Sequence, residues 1–128
     1  EDVVGGSRFP DAVAQTNYEI DIHSPDAQKT TDERHVDGYD IPYGCMVPAT
    51  GPDNLLVAGR AISATHVAMS SMRVQATCYA LGQAAGIAAA LSIEDAVPVG
   101  DVEVGKVQAE LSKQDARLLG KRDAKQTQ

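Results

Sequence analysis

From Tyr18 to His23 apolar and polar residues alternate one for one, which predicts a strand with Tyr18, Ile20 and Ile22 on one face and Glu19, Asp21 and His23 on the other. Ser24-Pro25-Asp26 closes it. Upstream, Gly5-Gly6-Ser7-Arg8-Phe9-Pro10 reads as a turn, and Asp11-Ala12-Val13-Ala14 suits a single helical turn capped by Asp11. The polar run from Ala27 to Gly38 is expected as a surface loop or long hairpin connection, followed by a second strand over Tyr39 to Val47. Pro42 lacks an N–H for the ladder and restricts that strand to an edge or a bulge.

Beyond the turn-rich joint from Pro48 to Asp53 the pattern changes. Leu55-Leu56-Val57-Ala58 is apolar without alternation, which predicts a strand covered on both faces, as central parallel strands are. It turns at Gly59-Arg60 into Ser63-Ala64-Thr65-His66. A long helix is then expected to begin between Ser70 and Met72, capped by Ser70 or Ser71, and to run to about Leu91. Gly82 and Gly86 each weaken such a helix by roughly 1 kcal/mol relative to alanine, so they predict close approach of another backbone. After Pro98, the residues Val104, Val107, Leu111 and Leu118 line one face of an amphipathic helix with Asp101 as its expected N-cap, and the chain frays from Gly120. The fold class is α/β, or α+β as an isolated fragment: a few strands, a long buried alanine-rich helix and a C-terminal amphipathic helix. No internal repeat is visible.

Charge narrows the range of partners. Across 128 residues, 18 acidic against 11 basic side chains leave a net charge of −7, which argues against nucleic acid or an anionic membrane surface. The basic residues Lys121, Arg122 and Lys125 sit in a polar tail that they keep solvated. The stretch from Val74 to Leu91 approaches transmembrane length, but Thr77, Gln83 and many alanines make it weakly hydrophobic, and no basic residues flank its C-terminal end. A buried helix of a soluble fold is the expectation. Cys78 lies in that apolar helix and resembles a small buried hydrophobe, so no disulfide with Cys45 is expected. The first residues show no basic-then-apolar leader. That leaves the compartment open, with the cytoplasm favoured.

Between Ala61 and Ile93 the single full charge is Arg73, placed where the helix is expected to begin. A glycine turn leading to a helix N-terminus presents backbone N–H groups and the positive end of the helix dipole, suited to a phosphate, a carboxylate or a carbonyl gaining negative charge. A plainer role competes: Ser63, Thr65 and His66 satisfy a buried turn while Arg73 pairs with a carboxylate elsewhere. His66 has acid–base chemistry in reach but equally suits a hydrogen-bonding post. His23 shares a strand face with Glu19 and Asp21. Without a second histidine or cysteine beside them, that group reads as a solvated face rather than a metal site. The phosphate-binding glycine fingerprint, the nucleophile elbow and metal-spaced cysteines are all absent from the sequence.

Six segments, in this order, carry a resemblance: RFPDAVA, YEIDIHSPD, YDIPYGCMVP, NLLVAGRAISATH, SSMRVQATCYALGQAAGIAAAL and VGKVQAEL. They resemble the C-terminal end of bacterial FAD-dependent oxidoreductases, a family distantly similar to the fumarate reductase flavoproteins. The resemblance implies that residues 1–53 end a substrate domain, that 54–92 form a strand and helix of the FAD-binding domain, and that 93–128 form a C-terminal helix and tail. It implies FAD as cofactor, with Gly59 and Arg60 beside its ribityl or pyrophosphate portion. Ser71, Arg73 and Val74 would then lie near the flavin ring, with Ser63, Thr65 and His66 in the adjoining turn. His66 and His23 become candidates for proton handling on a small-molecule substrate. The fingerprint glycines belong to an N-terminal lobe of the family, so the expected partner is that lobe, and a chain without it is expected to be inactive alone or to form homo-oligomers. The alternative class is a cofactor-free helical module that associates with itself or with a partner.

Overall fold

A computed structural model describes residues 1–23 and 32–118. The predicted turn at Ser24-Pro25-Asp26 and the frayed end from Gly120, with Lys121, Arg122 and Lys125, lie outside the described residues. Two antiparallel pairs of short strands carry the β structure: β1 (Ala12–Thr16) pairs with β4 (Tyr39–Pro42), and β2 (Ile20–Ile22) pairs with β3 (Asp32–Arg34). Three helices follow, α1 (His66–Met72), α2 (Gln75–Asp95) and α3 (Val104–Lys113). The class among the described residues is mixed α and β.

The alternating segment is a strand where expected, with Ile20 fully buried, and β3 arises inside the stretch read as a surface connection. Asp11 does not cap a helical turn. The residues after it form β1, because a lone helical turn fixes several dihedrals for one hydrogen bond, whereas β4 offers a ladder partner. Pro42 ends β4 opposite Ala12, where the register shifts between Ala12 and Ala14, so the bulge takes up the missing N–H. Residues Tyr43–Met46 then close into a 3-10 turn instead of extending the strand to Val47.

The predicted strand at Leu55 is not one. Residues 55–58 have no regular structure; Val57 N–H bonds Met46 O at 2.8 Å, and Leu55 is exposed. A strand needs a ladder partner along its length, and none runs beside it among the described residues.

The long helix is two helices. Thr65 caps α1 by accepting from Ala68 N–H at 3.2 Å, so Ser70 and Ser71 lie in the last turn of a first helix rather than capping a second. Val74 adopts an extended conformation (φ −68°, ψ 151°) that breaks the path, and α2 then runs to Asp95, past the expected end. A single stripe of α2, Thr77, Leu81, Ala84 and Ala88, is buried, and the helix packs on β1 and α3. The opposite face is open: Ala76, Tyr79, Gly82, Gly86, Ala89, Ala90 and Ile93 are exposed. A Cβ on Gly82 or Gly86 would meet nothing within 4 Å, so among the described residues no backbone makes the expected close approach. By length and composition alone α2 also suffices to cross a membrane, as do core helices of soluble folds. On α3, Val107 and Leu111 enter the core as the periodicity predicts, but the N-cap is Glu103, and Asp101 belongs to a preceding 3-10 turn.

Candidate functional site

The break between α1 and α2 organises the candidate site. The first intrahelical bond of α2 runs from Cys78 N–H to Val74 O, and its N-cap, Val74, offers no side-chain acceptor. The amides of Gln75, Ala76 and Thr77 therefore form the unpaired positive end of a 21-residue helix, and the Gln75 and Ala76 side chains are exposed around it. Gly59, at φ +66°, makes the turn that brings residues 59–61 against α2, its position lying 3.9 Å from the Cys78 side chain. A non-glycine residue rarely adopts that backbone. The Arg73 carbonyl accepts from Arg60 Nε at 3.3 Å and from the Cys78 thiol at 3.6 Å. Gly59, Arg60, Arg73 and Val74 are thus brought together at one helix end.

Other predicted residues go elsewhere. Thr65 and His66 open α1, and since α1 spans seven residues they lie about 10 Å from Arg73 along its axis, so the expected convergence of His66 with Arg73 does not occur. Thr65 spends its hydroxyl on the α1 cap, while Ser63 and His66 are exposed. Ser71 is fully buried, accepts from Tyr39 OH at 2.9 Å and donates to the Tyr18 carbonyl. Its hydroxyl ties α1 to the β2 region and is closed to any ligand. Burial raises the Tyr39 pKa above its ordinary value, partly offset by the bond to Ser71.

Arg73 does pair with a carboxylate. Its Nη2 reaches Asp21 Oδ2 and the Asp21 carbonyl, both at 3.2 Å, and its Nε donates to Ser70 O at 3.3 Å. The same Asp21 Oδ2 lies 3.1 Å from His23 Nε2. Asp21 keeps 14% of its side chain exposed, against 39% for Arg73 and 68% for His23, and Asp21 Oδ1 is enclosed without a hydrogen-bond partner. On the polar face of β2, Glu19 and His23 are exposed as expected, but Asp21 is largely buried and ties the strand to Arg73 at the α1–α2 break. Sequence reasoning missed Asp21 as a site residue, although its shared face with His23 was the available signal. Arg73 is 39% exposed while tied to Asp21 and Ser70, so it is neither sealed in nor free in solvent.

Three nearby alternatives carry little chemistry. A cleft of about 290 Å³ between the loops 47–53 and 98–101 is lined by none of these residues. Cys45 and Cys78 are free, and burial, reinforced by Asp11, pushes the Cys45 thiol pKa up, away from reactivity. Among the described residues no group of three or more His, Cys, Asp or Glu side chains is arranged to hold a metal ion.

The family model described as FAD dependent oxidoreductase matches residues 1–111. The chain belongs to that family. No curated protein and no solved structure matches it. An uncapped helix N-terminus with Arg60 on the preceding carbonyl is chemically suited to hold negative charge, which a reduced flavin carries, whereas the Arg73 guanidinium is turned back onto Ser70 and Asp21. Of the residues expected to hold the cofactor, Gly59, Arg60 and Val74 lie at this end of α2 and are compatible with it, while Ser71, Thr65 and Arg73 are engaged within the chain.

Proposed function

We propose that this chain is the C-terminal portion of an FAD-dependent oxidoreductase and supplies contacts to the flavin ring. The observation that carries the reading is the uncapped N-terminus of α2, whose first amides lack internal acceptors, beside the Gly59 turn and Arg60, in a member of this family. When bound, FAD supplies hydride or electron-pair transfer. The chain's own part is to orient the ring and favour its reduced, anionic form, with Gly59, Arg60, Arg73 and Val74 doing so at the helix end. The nucleotide half of FAD is then held by an N-terminal lobe that also covers the open face of α2, and the chain by itself is inactive. Ser71 acts behind this surface by fixing α1.

The test uses the protein joined to that lobe. Ala76→Asp places a carboxylate in the first turn of α2, which favours the helix but opposes a second negative charge there. The flavin midpoint potential should fall in Ala76→Asp and also in Arg73→Ala, with the fold intact by circular dichroism. An unchanged potential in both variants removes this helix end from the flavin site.

A second reading has its own observation. The exposed face of α2, with Tyr79 at 72% and Ile93 at 82% exposure, suits a cofactor-free module that pairs with itself or a partner. Colour separates the two. A colourless, stable oligomer that gains no visible absorbance with added FAD favours the module for this chain, whereas flavin uptake favours the first reading.

A further inference from the structure

One carbonyl oxygen holds three segments together at the α1–α2 break. Val74, at ψ 151°, turns the chain out of α1, so the Arg73 carbonyl, which a continuous helix would pair with Thr77 N–H, is left to other donors. A carbonyl has two lone pairs, and both find a side chain. Arg60 Nε reaches this oxygen at 3.3 Å from the Gly59 turn, and the Cys78 thiol reaches it at 3.6 Å from the start of α2. The two donors sit on segments already in contact, since a Cβ at Gly59 would stand 3.9 Å from Cys78 Sγ. With Val74 as the N-cap, Arg73 is the residue before it and Cys78 the fourth residue of the helix, and contact between those two positions fixes the angle at which a chain enters a helix. Arg73 is therefore a junction: its side chain ties α1 to β2 through Asp21, and its carbonyl ties the glycine turn to α2.

We propose that Cys78, together with Arg60 Nε, is a positioning residue for the cofactor end of α2. The thiol acts through the Arg73 carbonyl rather than on the flavin. By sharing one acceptor, the two donors set the entry angle into α2 and keep the Gly59 turn, with the remainder of the Arg60 guanidinium, beside the open amides. Loss of the thiol leaves the carbonyl to Arg60 alone and lets the turn shift against the helix. The purpose of this arrangement rests on the flavin reading above, but the shared carbonyl is measurable in the chain without flavin.

Sharing has a signature that mere packing lacks. Two donors on one oxygen compete for its electron density, so removing one strengthens the bond from the other. The infrared S–H stretch reads this, because a thiol that donates a hydrogen bond absorbs at lower frequency than a free one. Cys78 supplies the band that Cys78→Ala removes; should that variant fail to fold, Cys45→Ala isolates the same band, as these are the two cysteines of the chain. The Cys78 band should lie below that of a free thiol, and Arg60→Met, which keeps the stem and loses the donor, should lower it further. In the protein joined to its N-terminal lobe, the flavin midpoint potential should fall in Cys78→Ala and hold in Cys78→Ser, which retains a donor at that place. A free-thiol frequency for Cys78, a band that Arg60→Met leaves unmoved, or a Cys78→Ser potential that falls as far as that of Cys78→Ala overturns the proposal. If the band shifts as expected while Cys78→Ala and Ala76→Asp both leave the potential unchanged, the flavin reading fails and takes the proposed purpose with it, and the junction alone stands.

Discussion

Replacing Arg73 with alanine strips the counter-charge from a carboxylate that keeps 14% of its surface and already has one enclosed oxygen without a partner. Removing one member of a fully buried pair destabilises by about 3–5 kcal/mol, and an exposed pair is worth about 0–1 kcal/mol. Arg73 is 39% exposed, so its pair with Asp21 falls between those limits, and the expected loss is about 2 kcal/mol. Two bonds to carbonyls, at Asp21 and Ser70, vanish as well. Urea unfolding followed by circular dichroism should show a midpoint lowered by roughly 1 M, given slopes of about 1–3 kcal/mol/M for small domains. Asp21→Asn should be the milder change, because it leaves a guanidinium that can turn to solvent rather than a buried unpaired charge. The double variant should lose less than the sum of the singles. An Arg73→Ala shift within error of zero, or Asp21→Asn as the more damaging of the two, would refute the account of this cluster.

Leu81→Ala empties a fully buried position at the contact of α2 with β1 and α3, and thermal or urea unfolding should show a loss of about 3 kcal/mol. Thr65→Ala removes the cap of α1 and should lower stability by about 1 kcal/mol, read from the same unfolding curves, while leaving α2 helical. Gly59→Ala forces a side chain to φ +66° and should lose about 1–2 kcal/mol through backbone strain, since the space beside Cys78 admits a methyl group. Burial raises the pKa of Tyr39 and Tyr43 above the ordinary value of 10.0, so the folded chain holds protons that the unfolded chain releases. Their effect is nil below pH 10 and stability falls as pH climbs from there toward the folded values. Alkaline unfolding scans should show that fall, and it should be shallower in the pair of Tyr39→Phe and Tyr43→Phe variants.

The alternation around Ile20–Ile22 and the spacing of Val107 and Leu111 were readable as a strand and a core-facing helix stripe, although Tyr18, expected on the apolar face, lies outside the strand and is exposed. The glycine turn was readable, and Gly59 does take a positive φ, but the helix start expected between Ser70 and Met72 moved to Gln75. Nothing local marked the break at Val74, which carries no proline or glycine. It is held by Arg60 and Cys78 gripping the Arg73 carbonyl and by Asp21 gripping the Arg73 side chain.

By itself, then, the sequence determined the mixed class, the core-facing stripe of α3 and, through the resemblance of six segments, the family. Only the tertiary structure decided that Asp11 opens a strand and that Leu55 lacks a ladder. It likewise buried Ser71 and joined Asp21 to both His23 and Arg73. Apart from the His23 contact, those outcomes depend on partners about 30 to 50 residues away, whose approach no local pattern encodes.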